Sequence, residues 1–293
     1  MSWILFSILA ALTWAVVNTV DKYILTKWVR NPIVPVMILG VVGLIASILV
    51  YIFHGFYYLS IQNIVLALIV GVLFVLICFF YFKAVKLEEV SRVIPLFYLS
   101  PLFVLIFAAI SLGEIFTPIK YLGILLLLIG AVLISSKNFR LKPGKAFWLM
   151  LLVALLLAIQ VTMGKYLLNF ADYWTIFAYI RIGAMLAVIP MFYFYLPDLR
   201  ATVKKHGKRV TAVISMNESL NLVGALFILI AMSTGFVTLT NALASTQPLF
   251  VLLIVVVLSI FYPKILKEEI DKSTLLLKVI AIVLMFAGII LIT

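Results

Sequence analysis

The stretch of sequence best suited to chemistry is the polar run 217–221, Asn-Glu-Ser-Leu-Asn, which lies inside a strongly apolar segment. Residues four apart share one face of a helix, so Asn217 and Asn221 would present their amides together, with Glu218 beside them. A face of this kind would line water or a substrate rather than lipid. Glu218 is therefore a candidate for proton or cation coupling, and a hydrogen-bonded cluster that only holds helices together is the alternative.

Arg181 is a second ionisable residue within an apolar segment, where a charge is costly unless it has a partner or a cavity. Its planar guanidinium could bind a carboxylate or a phosphate through two parallel hydrogen bonds. The alternatives are that it extends to the membrane interface or forms a structural pair with Asp172 or Glu218. Arg181 is kept as a candidate substrate-binding residue.

Lys22 and Lys165 form a related pair, because Lys22-Tyr23 recurs as Lys165-Tyr166. Near opposite mouths of a central path, two such cations could guide an anion or form gates with acidic partners such as Asp21 or Asp172. Alternatively, lysines near helix C-termini complement the helix dipole and extend to the interface. Both interpretations stay open, and both lysines are kept as gating candidates.

Further polar side chains occur in the middle of apolar segments. The indole N–H of a buried Trp14 needs a hydrogen-bond partner, and Asn18 lies one helical turn further along the same face. Two other apolar segments carry a proline at mid-span, Pro101 and Pro248, and such a proline frees a carbonyl group and can kink the helix. The candidates for the wall of a substrate cavity are Trp14, Asn18, Tyr98, Asn241 and Gln247, together with Asn217, Asn221 and Arg181.

An internal repeat indicates the elements that must position these residues. The segment 84–104 resembles the segment 231–251, and both end in Pro-Leu-Phe-Val. The segment 130–135 likewise resembles 288–293. With 67% hydrophobic and 11% charged residues, the chain is far more apolar than a soluble domain. Repeats of membrane-spanning units belong chiefly to transporters.

The apolar runs predict ten transmembrane helices, each near the roughly 20 residues that a bilayer core requires. The predicted spans are 3–25, 33–53, 63–82, 92–111, 119–136, 146–168, 174–196, 210–232, 236–262 and 275–292. We therefore predict an all-α membrane protein with two five-helix repeats, residues 1–138 and 139–293. A unit with an odd number of spans enters the membrane the second time from the opposite side, so the repeats should be inverted.

The net charge of +12 would favour a nucleic-acid partner in a soluble protein, but here it has another explanation. Most Lys and Arg residues fall in the short loops after the odd-numbered spans. By the positive-inside rule these loops face the cytoplasm, which places both termini outside in a multi-pass protein of the plasma membrane. No nucleic-acid partner is expected.

Several classes of protein are excluded by the absence of their motifs. The sequence has no phosphate-binding loop, nucleophile elbow, zinc-ligand spacing or dinucleotide fingerprint. We therefore expect neither an enzyme nor an ATP-driven pump, and no cofactor or metal. Cys78 is the single cysteine, so the chain cannot form a disulfide within itself.

The order of several short motifs resembles the EamA-type branch of the drug/metabolite transporter superfamily over essentially the whole chain. The motifs are Trp14 with Asn18, Ala-(x5)-Val-(x10)-Pro-Leu-Phe in the fourth and ninth spans, Gly113-Glu114, and Gly-(x2)-Leu-Ile at the end of each half. The resemblance implies a secondary carrier of amino acids, other small metabolites or drugs, often an exporter, with a central cavity between its halves.

We accordingly predict a secondary active transporter that exports a small polar or amphipathic metabolite, such as an amino acid, by alternating access around a midplane cavity. The alternative is a flippase or scramblase for lipids or lipid headgroups on the same scaffold, in which Arg181 could hold phosphate. The predicted partners are a small-molecule substrate, membrane lipids and a coupling proton or cation, and the protein is predicted to be a monomer or a homodimer.

Overall fold

The computed structural model of the protein describes residues 2–29, 31–87, 95–135, 144–261 and 272–293, and within these ranges the chain is helical without a β-strand. The predicted boundary between the repeats, at residues 138 and 139, lies outside the described residues, as do positions 92–94, 136 and 262 of the predicted spans. The helices are α1 (Trp3–Lys27), α2 (Ile33–His54), α3 (Ile61–Leu87), α4 (Ser100–Leu112), α5 (Pro118–Ser135), α6 (Lys145–Leu167), α7 (Tyr173–His206), α8 (Lys208–Thr234), α9 (Val237–Ala244), α10 (Gln247–Phe261) and α11 (Lys272–Ile292).

Eight helices in the described part of the chain are long and apolar enough to cross a membrane. Two shorter apolar helices, Pro118–Ile134 and Leu277–Ile292, overlap the predicted fifth and tenth spans. Large apolar side chains face outward in the middle of the long helices, as Ile45 and Leu186 do with 52% and 49% of their surface exposed. An apolar outer surface of this kind suits the hydrocarbon core of a bilayer.

The seventh helix is longer than the sequence predicts. The expected span ends at residue 196 and is followed by a basic loop, but α7 continues to His206, for 34 residues in all, with Pro190 and Pro197 inside it. Each proline removes one hydrogen bond of the helix. The basic side chains of the last turn complement the C-terminal dipole and so stabilise the extended helix. The prediction of a loop is therefore wrong, and only Gly207, with φ of 75°, separates α7 from α8.

The fourth and ninth predicted spans are both interrupted near the middle. Turns at residues 98–99 and 245–246 divide them, and the proline of each span lies at the second position of the helix that follows, Pro101 in α4 and Pro248 in α10. A proline is tolerated in the first turn because its missing N–H would have had no partner there. The repeated prolines thus begin new helices after a break.

The helices of the two halves interlock. α1 packs against α8 and α10, and in the corresponding way α6 packs against α3 and α4. α2 packs against α7, and α5 against α11. Each of these pairs joins a helix that precedes residue 138 to one that follows it.

Glycines allow the closest of these crossings. A Cβ atom at Gly71 in α3 would collide with the carbonyl oxygen of Ile180, and one at Gly183 in α7 would collide with the carbonyl oxygen of Leu68. Small residues let membrane helices approach until their backbones touch. The α3–α7 crossing therefore fixes the height of Arg181, which lies within one turn of Ile180 and Gly183.

Candidate substrate site

Arg181 is buried in the interior, with 4% of its surface exposed. Its guanidinium carbon lies 5.1 Å from the ring centre of Phe74 and 5.3 Å from that of Phe177. Arginine over an aromatic face gains a cation–π attraction that is stronger when water is excluded. Gly43 provides the space for the arginine stem, since a Cβ atom there would lie 3.3 Å from its Cδ. The site thus holds a cation between two aromatic rings.

Among the described residues, no acidic side chain forms an ion pair with this cation. In the part of the chain that is described, the one ion pair joins His54 Nε2 to Asp172 Oδ1, 3.0 Å apart, and the Nε of Arg181 is buried without a hydrogen-bond partner. The sequence allowed a structural pair of Arg181 with Asp172 or Glu218, and that alternative is wrong. Asp172 is engaged at the start of α7 and Glu218 is engaged with Asn221, which leaves Arg181 without a counterion among the described residues.

A group of polar side chains joins α1 to α8, and we call Trp14, Asp21, Asn217, Glu218 and Asn221 the α1–α8 polar cluster. Trp14 Nε1 donates to Asn221 Oδ1 at 3.0 Å, and Asn221 Nδ2 donates to Glu218 Oε2 at 3.2 Å. Asn217 Nδ2 donates to Asp21 Oδ1 at 2.7 Å. The sequence predicted four of the five residues as site residues, and the structure brings them together.

The tryptophan of the cluster lies flat against α8 because of a glycine. A Cβ atom at Gly224 would lie 2.8 Å from Trp14 Nε1, which is closer than two non-bonded heavy atoms of this kind approach. The indole therefore reaches Asn221 across a surface without a side chain. In this way α8 supplies both the acceptor for the indole and the space that the ring requires.

Asp21 is the member of the cluster that sequence reasoning missed as a site residue. It entered only as a possible partner of Lys22, its neighbour in the chain. The spacing of Trp14, Asn18 and Asp21 follows i, i+4 and i+7, which is the pattern of one helical face. That spacing was the available signal, because a carboxylate two turns beyond Trp14 must share its surroundings.

The polar cluster and Arg181 face a common region. Cys78 on α3 is near enough to interact electrostatically with Glu218, Arg181 and Asp21, and Tyr81 on the next turn interacts with Asp21. The three charged groups come from α8, α7 and α1, and all three interact with Cys78. The interior therefore contains one basic and two acidic side chains in the surroundings of Cys78.

Lys165 has a different role from the pairing that we considered. At the end of α6, its Nζ donates to the carbonyl oxygens of Met232 at 2.5 Å and of Gly235 at 2.8 Å, and it forms no ion pair with Asp172 in the described structure. A lysine at this place satisfies carbonyl groups that the last turn of a helix leaves unpaired. Lys165 thus caps the C-terminus of α8 and interacts electrostatically with the nearby carboxylate of Glu114.

Glu114 holds the helix that follows. It is buried, its Oε1 accepts from the backbone N–H of Val237 at 2.7 Å, and its Oε2 accepts from that of Thr238 at 3.0 Å. A carboxylate at a helix N-terminus satisfies unpaired N–H groups and complements the dipole. Glu114 and Lys165 line a pocket of about 320 Å³ beside this junction.

The remaining candidates are more scattered. In the described part of the chain no hydrogen bond joins Asn18, Asn241 or Gln247 to Arg181 or to the polar cluster. Asn18 and Lys22 are exposed on α1, Tyr98 is buried in the core formed by α5, α9 and α11, and Asn241 and Gln247 are partly buried on α9 and α10.

The start of α7 carries an ionisable group outside the membrane-spanning segments. Asp172 precedes the helix, and its carboxylate accepts from the backbone N–H groups of Trp174 and Thr175, from the Thr175 hydroxyl and from His54. Burial alone would raise the pKa of Asp172, but these hydrogen bonds together hold the pKa below its usual value. The contact with His54 ties the end of α2 to the start of α7.

Comparison with known proteins finds a family that resembles the first part of the chain. Residues 1–136 match the model of the EamA-like transporter family. The first part of the chain is therefore similar to the EamA-like transporter family. That family is part of the drug/metabolite transporter superfamily, so the resemblance found from the motifs is confirmed over these residues. The likeness to a family of transporters argues against an enzyme, and the long apolar helices make the protein an integral, multi-pass membrane protein.

The fold extends beyond the matched half. A solved crystal structure aligns with a TM-score of 0.77 at 20% sequence identity, covering 99% of this chain and 96% of that chain. At this level of identity the likeness concerns the fold alone. Among curated proteins none matches the chain. Neither the family nor the shared fold supports the flippase alternative for this EamA-like protein.

Proposed function

We propose that this EamA-like protein is a secondary active transporter that exports a small polar or amphipathic metabolite, such as an amino acid, from the cytoplasm. The observation that carries the proposal is Arg181, a buried cation that no acidic side chain of the described residues neutralises. A charge in the low-dielectric interior of a membrane protein is costly without a partner. A substrate carboxylate would supply that partner through two parallel hydrogen bonds.

The surroundings of Arg181 support an organic rather than an inorganic anion. Phe74 and Phe177 flank the guanidinium on α3 and α7, and an apolar wall next to a polar anchor is typical of sites for small organic molecules. A substrate with a carboxylate and an apolar or aromatic body would satisfy both parts. An amino acid with a large side chain is the simplest molecule of this kind.

The pairing of helices supports two inverted repeats around the site. Each of the first five spans corresponds to the span five places later. The α1–α8 contact therefore corresponds to the α6–α3 contact, and the α1–α10 contact to the α6–α4 contact. The α2–α7 and α5–α11 contacts each join two corresponding spans. A two-fold axis in the membrane plane would produce this set of contacts, and such symmetry underlies alternating access in many carriers.

We assign the other candidate residues to roles around the same cavity. Glu218 is the coupling residue, because it is buried and linked to the asparagines of the α1–α8 polar cluster. Lys165 acts as a gate through its hold on the junction between α8 and α9, and Lys22 is the matching gate residue of the first half. The cavity wall is assigned to Trp14, Asn18, Tyr98, Asn217, Asn221, Asn241 and Gln247.

The test is counterflow in proteoliposomes. Vesicles with the purified protein are preloaded with unlabelled amino acids, and entry of each radiolabelled amino acid is followed. We expect transient accumulation of at least one of them with the wild type and with Lys204→Gln, a variant at an exposed basic position of α7. Arg181→Gln should abolish it. Equal counterflow with Arg181→Gln, or none with the wild type for any amino acid, would contradict the proposal.

The orientation is tested separately by thiol labelling. In a Cys78→Ser background, Gln62→Cys lies at the start of α3 and Lys204→Cys lies near the end of α7. With both termini outside, a membrane-impermeant thiol reagent added to intact cells should label the first variant and spare the second. The opposite pattern would mean that the termini are inside.

A further inference from the structure

The α1–α8 polar cluster contains a buried acceptor to which no described residue donates a hydrogen bond. Asn217 is 5% exposed, and while its Nδ2 donates to Asp21, its Oδ1 is buried without a hydrogen-bond partner. Buried polar atoms in proteins are almost always paired. Leaving one unpaired is unfavourable, because the atom has lost its hydrogen bonds to water. An unpaired acceptor in direct contact with an acidic side chain indicates that a donor belongs there.

The carboxylates around this acceptor also have unused capacity. Within the described residues one side-chain hydrogen bond reaches Asp21, from Asn217, and one reaches Glu218, from Asn221. An ionised carboxylate offers about four lone-pair sites. The ion pair of the described residues, between His54 and Asp172, involves neither carboxylate. The two carboxylates are also near enough to repel each other, so a positive charge between them would stabilise both.

We infer that Asp21, Glu218 and the Oδ1 of Asn217 bind a primary ammonium group of the substrate. An ammonium group has three donors and no acceptor, which fits a site made of acceptors alone. The inference rests on the proposed function and makes it more specific. With a carboxylate at Arg181 and an ammonium group at this site, the substrate would carry both charges.

Three small probes separate the two ends of such a substrate. 3-Phenylpropionate carries the carboxylate and an aromatic ring, 2-phenylethylamine carries the ammonium group and the same ring, and L-phenylalanine carries both. Binding to the purified wild-type protein is measured by isothermal titration calorimetry in choline chloride, so that sodium does not compete. Asp21→Asn and Asn217→Leu remove parts of the ammonium site, and Ser219→Ala changes an exposed residue of the same helix as a control.

The expected result is a selective loss. Asp21→Asn should weaken 2-phenylethylamine binding by about tenfold or more, Asn217→Leu should weaken it in the same direction, and Ser219→Ala should bind as the wild type does. Binding of 3-phenylpropionate should be unchanged in Asp21→Asn, which also shows that this variant is folded.

Three results would overturn the inference. The first is that 2-phenylethylamine does not bind to the wild type. The second is that the wild type and Asp21→Asn bind the amine equally well. The third is that the wild type binds sodium ions but not the amine, and that Asp21→Asn abolishes the sodium binding. The last result would make the cluster a site for an inorganic cation. Amine binding without any counterflow would contradict the proposed function and leave the ammonium site in place.

Discussion

The Glu114 carboxylate and the backbone N–H of Val237 are 2.7 Å apart, and this contact crosses from one half of the chain to the other. Glu114 follows α4 directly after Gly113, whose φ of 69° ends that helix, while Val237 begins α9. The end of one interrupted span thereby fixes the start of the other. We expect this contact to stabilise the junction between α8 and α9, which Lys165 also contacts.

Glu114→Gln should lower the stability of the protein. The neutral amide keeps one acceptor oxygen for two N–H groups, so the charge-assisted part of the cap is lost, which corresponds to about 1–3 kcal/mol. The free energy of unfolding is measured in detergent by denaturant titration. Ser111→Ala, at an exposed hydroxyl on the same helix α4, should remain within about 0.5 kcal/mol of the wild type. Equal stabilities of Glu114→Gln and the wild type would contradict the assigned cap.

Glu218→Gln should abolish transport driven by a pH gradient. The amide has nearly the same shape as the carboxyl group and still accepts from Asn221, but it cannot exchange a proton. Uptake into proteoliposomes is compared with and without an imposed gradient, and Ser219→Ala serves as the neighbouring control. Undiminished gradient-driven uptake would exclude Glu218 as the coupling residue.

Gly71→Ala and Gly183→Ala should each be strongly destabilising. The new methyl group would meet a backbone carbonyl of the facing helix, which cannot move aside as a side chain can, and overpacking of this kind costs about 1–3 kcal/mol or more. Gly164→Ala in α6 is the matched control, because nothing lies within 4 Å of its added Cβ. It should be neutral or stabilising, since alanine favours a helix more than glycine does. Thermal unfolding of the three variants tests the ranking.

Gly43→Ala should weaken anion binding more than it lowers stability. Its Cβ would press on the Cδ of Arg181 at 3.3 Å, so the guanidinium must shift from its place between the rings. In Gly40→Ala, one turn earlier, the new Cβ would lie 2.9 Å from Val188. This variant should lower stability more than it weakens anion binding. Affinity for 3-phenylpropionate and the melting temperature are measured for both. Identical behaviour of the two variants would argue against a positioning role for Gly43.

Acid should remove a contribution of Asp172 to stability. Because the folded state holds the pKa of Asp172 below its usual value of about 3.9, the contribution is complete above that value and is lost as the pH falls through the lower, folded pKa. The difference in melting temperature between the wild type and Asp172→Asn should therefore shrink below about pH 4. A difference in melting temperature that stays constant down to pH 3, about one pH unit below the usual pKa of an aspartate, would show that the carboxylate is not involved.

The helices and part of the site could be predicted from the sequence because both depend on local patterns. Apolar runs of membrane length mark the spans, and the spacing of Asn217 and Asn221 marks a polar face within one helix. Arg181 could be singled out because a charge in an apolar run needs a reason. These signals do not require knowledge of which helices touch.

The rest depended on contacts between distant parts of the chain. Asp21 became a site residue only because α1 packs against α8, which brings it to Asn217. The sequence shows Glu114 only as part of a short motif, and its role as a cap depends on the contact with the start of α9. Lys165 could equally have faced Asp172, and only the position of the α8 carbonyls decided its role. The length of α7 was missed because a basic stretch after a proline reads as a loop.

The cation at position 181 has a consequence for the kinetics of the proposed transport cycle. Without a ligand, the conformational cycle must carry Arg181 through an interior in which no described side chain neutralises it, whereas a bound anion removes that barrier. The loaded carrier should therefore reorient faster than the empty one. Flux should be fastest when substrate is present on both sides of the membrane, so that this protein exchanges its substrates more rapidly than it moves them in one direction.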